Sequence, residues 1–205
     1  MIFTIGHSNH ELTHFLSLLS RHGVNAIADV RSQPYSRFRP HFNRERLAES
    51  LKQAGIDYVF LGRELGARRT EPEAYRADQA RYDLVRTLPA FKDGLKRIRA
   101  GAASHRLALL CAEKDPLTCH RTILIGRELR HDPMEIVHIL DDGRLETMAD
   151  AEDRLIELTG IAAHDLFANE ASGADDASHA DDAARRRLVE RAYDVQADRI
   201  AYTRR

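Results

Sequence analysis

Short apolar runs alternate along the chain with longer stretches whose apolar residues recur every three or four positions. Ile2-Phe3-Thr4-Ile5 reads as a first strand ending at Gly6-His7-Ser8. From Glu11 to Arg21, Leu12, Phe15, Leu16 and Leu19 fall on one face, which predicts a helix with Asn9 as its cap and Gly23 as its stop. Val24 to Val30 predicts a second strand that ends at Asp29-Val30-Arg31. After a loop from Ser32 to His41, Asn43 is expected to cap a helix that places Leu47 and Leu51 inward and ends at Gly55. Tyr58 to Leu61 reads as a third strand. Residues Arg68 to Gly101 read as loop and helices, broken by Pro72 and Pro89. Leu107 to Cys111 is the most apolar run and the fourth strand, and Thr118 is expected to cap a helix through Leu129. Ile136 to Leu140 is the fifth strand, followed by an Asp141-Asp142-Gly143 turn and a helix from Ala149 to Leu158.

Strands that are apolar on both faces, separated by helices, define an α/β domain whose mainly parallel sheet is covered on both sides. The expected architecture is one domain over residues 1–167, with about five strands in a Rossmann-like three-layer arrangement and right-handed crossovers. From Ala168 to Ala184 the chain is mostly Ala, Asp, Ser and Gly. That composition offers little to bury and predicts a disordered acidic linker, dispensable for folding. Residues 185–205 regain helical character, with arginines at both ends, and read as a basic C-terminal helix or tail.

Bulk numbers change this picture little. A chain of 205 residues that is 43% hydrophobic suffices for one substantial core. The net charge of −1 hides a late gathering of acids and a clustering of arginines around the strand ends, so an anionic ligand is not excluded. Two cysteines, Cys111 and Cys119, are too few for a disulfide scaffold, and both are expected to be free. The first ten residues lack a basic-then-apolar signal, and no apolar run approaches the roughly 20 residues that span a bilayer. The expectation is a cytoplasmic protein with no membrane partner.

In open α/β sheets, ligands sit outside the carboxyl ends of the strands. The unusual polar residues fall at such ends: His7 and Ser8, Asp29 and Arg31, Arg63 and Glu64, Cys111 and Glu113. The plainer reading is that strand ends meet water, but that does not account for a cysteine within an arginine-rich set. The loop from Arg31 to Phe42 carries Ser36, Arg37 and Arg39 among aromatics and two prolines. Arginines grip phosphate or carboxylate, and aromatic faces stack on bases. The stretch from Cys111 to Arg121 is the most distinctive. Cys119 is expected in the first turn of a helix, where the helix dipole and Arg121 would favour its thiolate. Cys111, inside the strand, reads as a small core residue. The spacing of the cysteines is not that of a zinc finger, and further ligands would have to come from His7 or His120. No metal ligand is therefore assigned and no cofactor is predicted, with a divalent metal left open.

These segments also carry a resemblance. Thr4-Ile5-Gly6-His7-Ser8, Asp29 to Pro34 with Ser36-Arg37, His41-Phe42-Asn43, Leu61 to Gly66, and Leu110 to Glu113 with Cys119-His120-Arg121 are similar to the motifs of the domain-of-unknown-function 488 family. The resemblance spans roughly residues 1 to 145. Ala67 stands where the family usually has a second glycine. The resemblance implies an α/β fold with the motif residues gathered at one site, and no established reaction.

The functional expectation is an enzyme acting on an anionic, nucleotide-like or nucleic-acid substrate. His7, Asp29, Glu113 and Cys119 would supply chemistry. Ser8, Arg31, Ser36, Arg37, Arg63, His120 and Arg121 would hold the ligand. The alternative is a non-catalytic nucleotide or nucleic-acid binding module using the same arginines. A thiol redox protein is disfavoured by the absence of a Cys-x-x-Cys pair.

Overall fold

The first strand, β1 (Ile2–Gly6), is buried along its whole length and lies inside a six-stranded sheet. A computed structural model gives the fold over residues 1–161 and 177–204, with residues 177–181 described for the backbone alone. The chain continues through α1 (Leu12–Arg21), β2 (Ala26–Asp29), α2 (Arg44–Gln53), β3 (Asp57–Phe60) and the single turn α3 (Gly62–Leu65). A small hairpin, β4 (Tyr75–Arg76) with β5 (Gln79–Ala80), precedes α4 (Tyr82–Val85) and α5 (Pro89–Ser104). Then come β6 (Leu107–Cys111), a π-helical turn at Arg121–Gly126 that runs into α6 (Arg127–Leu129), β7 (Ile136–Ile139), β8 (Leu145–Thr147), α7 (Met148–Thr159) and α8 (Ala177–Ile200).

The strand order is β3-β2-β6-β1-β7-β8. All neighbours are parallel except β8, which pairs antiparallel with β7 at the edge. The period-two alternation of the parallel strands feeds two cores. On one face Phe3, Ile5, Ile27 and Leu110 meet Phe15, Leu18 and Leu19 of α1 and Leu47 and Leu51 of α2. On the other, Ala28, Leu107, Leu109 and Ile136 meet Phe91, Leu95 and Ile98 of α5, Ile123, and Leu155 of α7. These are the three layers that the pattern of apolar runs predicts, with one further edge strand. Among the described residues, no helix is long and apolar enough to cross a membrane.

The crossovers position the site. Moves along the sheet toward β3 use the α1–α2 face, and moves toward β7 use the opposite face, as crossovers of a single hand require. Adjacent strands β1 and β6 therefore send their chains to opposite faces, which opens a crevice at their carboxyl ends.

The C-terminal tail departs from expectation. Of the segment expected to be disordered, residues 168–176 lie outside the described residues, and the part from Ala177 is helical. Helix α8 packs on the domain through Val189, Ala192, Tyr193 and Ala197, a buried stripe at helical spacing. Arg127 reaches from the sheet side to Glu190 at 2.5 Å and Asp194 at 2.7 Å. Beyond α8, the backbone N–H of Ala80 donates to the Tyr202 carbonyl at 2.8 Å, and that of Arg204 to the Asp78 carbonyl at 2.8 Å, so the chain end lies along the small hairpin. The sequence pattern concealed this because the stripe's alanines and single tyrosine stand among charged residues.

Candidate functional site

Pairing between β1 and β6 continues past the strands: the N–H of His7 donates to Cys111 O and that of Ser8 to Ala112 O, both at 2.9 Å. Gly6, opposite Cys111, must be glycine, since a Cβ there would lie 1.8 Å from the carbonyl oxygen of Glu113. The close approach folds the chain after Cys111 back over the end of β1. Ser8 completes the turn with a φ of 46°, a left-handed conformation that a non-glycine residue adopts at a cost of about 1 kcal/mol.

Arg121 fixes the returning loop from beneath. Its guanidinium is fully buried and donates to Glu113 O at 2.7 Å, Lys114 O at 3.1 Å and Thr4 Oγ1 at 3.4 Å. Thr4 Oγ1 in turn bonds His138 Nδ1 at 2.8 Å. Burial, then the Arg121 charge, lowers the His138 pKa to about 3, so its ring is neutral. Asp115 takes the N–H of Leu117 at 2.9 Å and starts a 3-10 turn over Pro116–Thr118. Thr118, expected as a helix cap, bonds back to Asp115 O instead.

Cys119 does not lie in the first turn of a helix. It is extended, with φ −132° and ψ 140°, just before the π-helical turn, and its Sγ accepts the backbone N–H of Arg121 at 3.4 Å. Cys111 Sγ and Cys119 Sγ donate to the same oxygen, Glu113 Oε2, at 2.9 and 3.0 Å. His120 Nδ1 stands 3.6 Å from Cys111 Sγ and 3.9 Å from Cys119 Sγ, while its Nε2 donates to Val30 O at 3.0 Å. Both cysteines are free and buried. Burial raises both thiol pKa values. For Cys119 its interaction with Cys111, the Arg121 charge and His120 outweigh it, and the value falls below the usual thiol range. For Cys111, Cys119 and Glu113 add to burial, and it rises well above that range. The two thiols thus differ in the expected direction, although side-chain neighbours rather than a helix start produce the difference. For Glu113, burial is likewise outweighed by the two thiol hydrogen bonds, and its pKa falls to about 2.

A second buried group flanks this one. Asp29 is fully buried and takes Arg31 Nε at 2.8 Å, Arg31 Nη2 at 2.6 Å and the Tyr58 hydroxyl at 2.7 Å. Arg31 Nη1 donates to Phe42 O at 2.9 Å. Its guanidinium is therefore engaged by the protein itself, and pairing with Asp29 raises its pKa against the opposing effect of burial. His7 stacks on Phe42 with ring centroids 4.3 Å apart, and burial, then Arg31, lowers its pKa to about 4.

Above these groups opens a cavity of about 400 Å³. Cys111, Glu113, His120 and His7 form its floor, with Arg31 beside them; Ser36, Gln33 and Tyr35 come from the arginine-rich loop, and Arg68 and Tyr202 complete the lining. Of the expected site residues, the structure brings His7, Arg31, Ser36, Glu113 and His120 to the cavity. Asp29 lies behind Arg31, and Cys119 and Arg121 lie beneath the floor. Ser8 shapes the turn, and Arg37 and Arg63 are exposed and do not line the cavity. Asn43 does not cap α2 with its side chain; its Oδ1 takes the N–H of Ser36 at 2.7 Å and pins the loop. Sequence reasoning missed Arg68 and Tyr202. Arg68 bonds Gln33 Oε1 at 2.7 Å, and its guanidinium lies 4.9 Å from the Tyr202 ring centre. Nothing local marks Tyr202, because only the docking of α8 brings it to the cavity.

Fold and site define a three-layer α/β protein with a thiol–carboxylate–imidazole floor at the sheet's crossover crevice. The chain belongs to the family described as Domain of unknown function DUF488, which matches residues 11–127. No curated protein and no solved structure matches it.

Proposed function

We propose that this protein is an enzyme acting on a small anionic, nucleotide-like ligand bound in the cavity above Cys111, Glu113 and His120. The observation that carries this reading is the pairing of a reactive floor with a mouth suited to such a ligand. The mouth offers Arg68, the hydroxyls of Ser32 and Ser36, and the rings of Tyr35 and Tyr202. A cavity of about 400 Å³ suits a ligand of nucleotide size. Phe38, 91% exposed on the adjoining loop, adds a free aromatic face. Arg31 and Arg121 each give all three guanidinium nitrogens to protein acceptors, whereas the exposed Arg68 gives Nη1 to Gln33, so the anion falls to Arg68, with Arg31 contributing charge from the cavity wall.

The test is a thermal-shift series with nucleoside monophosphates, inorganic phosphate and a short oligonucleotide. A ligand at 100 times its Kd is expected to stabilise the protein by about 2.7 kcal/mol. Arg68→Ala, a rim substitution, is expected to weaken binding about tenfold or more by removing a charge-assisted contact. Glu113→Gln separates the two functional readings. If the wild type converts the ligand and the variant binds without conversion, the enzyme reading stands. Binding without conversion by the wild type makes the protein a binding module, and no binding by the wild type overturns both.

A further inference from the structure

Four donor atoms of different side chains converge at the floor of the cavity: Cys111 Sγ, Cys119 Sγ, His120 Nδ1 and a carboxylate oxygen of Glu113 all lie within 4.8 Å of one another. We propose that these four side chains bind one divalent transition-metal ion of the zinc class in a tetrahedral site of two sulfurs, one nitrogen and one oxygen.

The geometry supports this directly. A tetrahedral ion with Zn–S of about 2.3 Å and Zn–N of about 2.0–2.1 Å sets sulfur and nitrogen about 3.5 Å apart. The observed separations are 3.6 and 3.9 Å. The carboxylate oxygen is closer to the sulfurs, at 2.9 and 3.0 Å, because thiol protons bridge them. An ion replacing those protons requires the carboxylate to retreat by about 0.5 Å. Glu113 is exposed as a residue, and its thiol-bonded carboxylate is part-buried with its open side on the cavity it borders, so it has room to do so.

The surroundings also fit. A carbonyl only accepts, so Val30 O fixes the proton of His120 on Nε2, at 3.0 Å. In the neutral ring this leaves the Nδ1 lone pair facing both sulfurs, the backbone-fixed tautomer that metal-binding histidines use. The Arg121 N–H already points at Cys119 Sγ, and the Arg121 side chain holds the Glu113–Lys114 backbone over the cluster. On binding, each thiol releases its proton to solvent and the ion takes the place of the two protons. Two sulfurs and an imidazole favour zinc over magnesium or calcium. Because Cys111, Glu113 and His120 border the cavity, the ion would face whatever occupies it. The inference stands on the cluster alone. Failure of nucleotides to bind leaves it intact, and failure of metal to bind leaves the cavity reading intact.

The experiment is titration of the TCEP-reduced full chain with Co2+. One equivalent is expected to bind, with sulfur-to-cobalt charge-transfer absorption and the visible bands of a tetrahedral ion, all lost on adding Zn2+. Cys119→Ser is expected to weaken the charge-transfer band and to lower affinity by at least about tenfold. Should that variant not fold, the wild type still decides: Zn2+ is expected to protect both thiols from iodoacetamide, and EDTA to restore reaction. Cobalt bound without charge-transfer absorption, or thiols alkylated equally fast with and without Zn2+, would overturn the proposal.

Discussion

Arg121→Ala is expected to lower stability by about 3–4 kcal/mol and the melting temperature by about 10 °C. The substitution removes the largest fully buried side chain among the described residues. It leaves the Glu113 and Lys114 carbonyls without their donors and opens a cavity under the loop that carries Glu113. Those two carbonyls belong to residues exposed at the surface, so water recovers part of the loss, which keeps the figure below the sum of two buried carbonyls and a large cavity. Arg121→Met separates the contributions: its unbranched chain refills the stem's volume and should recover about 1–2 kcal/mol, but cannot donate to either carbonyl. Urea unfolding of the three proteins is the measurement. A midpoint for Arg121→Ala indistinguishable from that of the wild type would show that the loop holds its shape without the guanidinium.

Arg121 also marks where the sequence stops being informative. Its neighbours in sequence, Cys119 and His120, suggested a cation that grips a ligand. In the structure the strand end bends the chain back on itself, and the guanidinium points inward to backbone carbonyls. Which way an arginine points depends on which carbonyls a distant loop leaves unpaired, and no local pattern records that. Asp29 and Arg31 teach the same lesson. Their place at a strand end was legible, because an apolar run ending in charge is a local signal. That they would satisfy each other, with Tyr58 completing the set, depends on the register between β2 and β3.

The strands themselves were legible because each is apolar on both faces and bounded by polar turns. The parallel sheet followed from their alternation with helices, and the crevice followed from the sheet. The edge strand β8 was not, since Leu145-Glu146-Thr147 is short and half polar. That Cys111 and Cys119 would share one oxygen of Glu113 was hidden by a seven-residue excursion whose fold depends on the Asp115 turn and on the absence of a side chain at Gly6.

Truncation at Phe167 is expected to be the most damaging change. It removes α8 and with it Val189 and Tyr193, buried to 1% and 0% exposure. Burying such side chains contributes about 1.5–3 kcal/mol each. The loss goes further. Arg127, itself buried, loses Glu190 and Asp194, and Arg130 loses Glu190 and the Tyr193 ring that lies 5.0 Å below its guanidinium. Gln196 no longer donates to Leu117 O at 2.7 Å, so the segment leading into Cys119 loses its brace. The expected total is about 5 kcal/mol or more, a large share of the 5–15 kcal/mol that holds an ordinary domain folded. Residues 1–167 expressed alone should be insoluble, or should melt about 10–20 °C below the full chain. Tyr193→Ala in the full chain keeps the ion pairs and isolates the packing contribution, with an expected loss of about 3 kcal/mol. The truncation also removes Ile200 and Tyr202 from the cavity wall. Any ligand that binds the full chain should therefore bind residues 1–167 more weakly even where that fragment folds. Cooperative melting of residues 1–167 within a few degrees of the full chain would show that α8 rests on the domain without stabilising it.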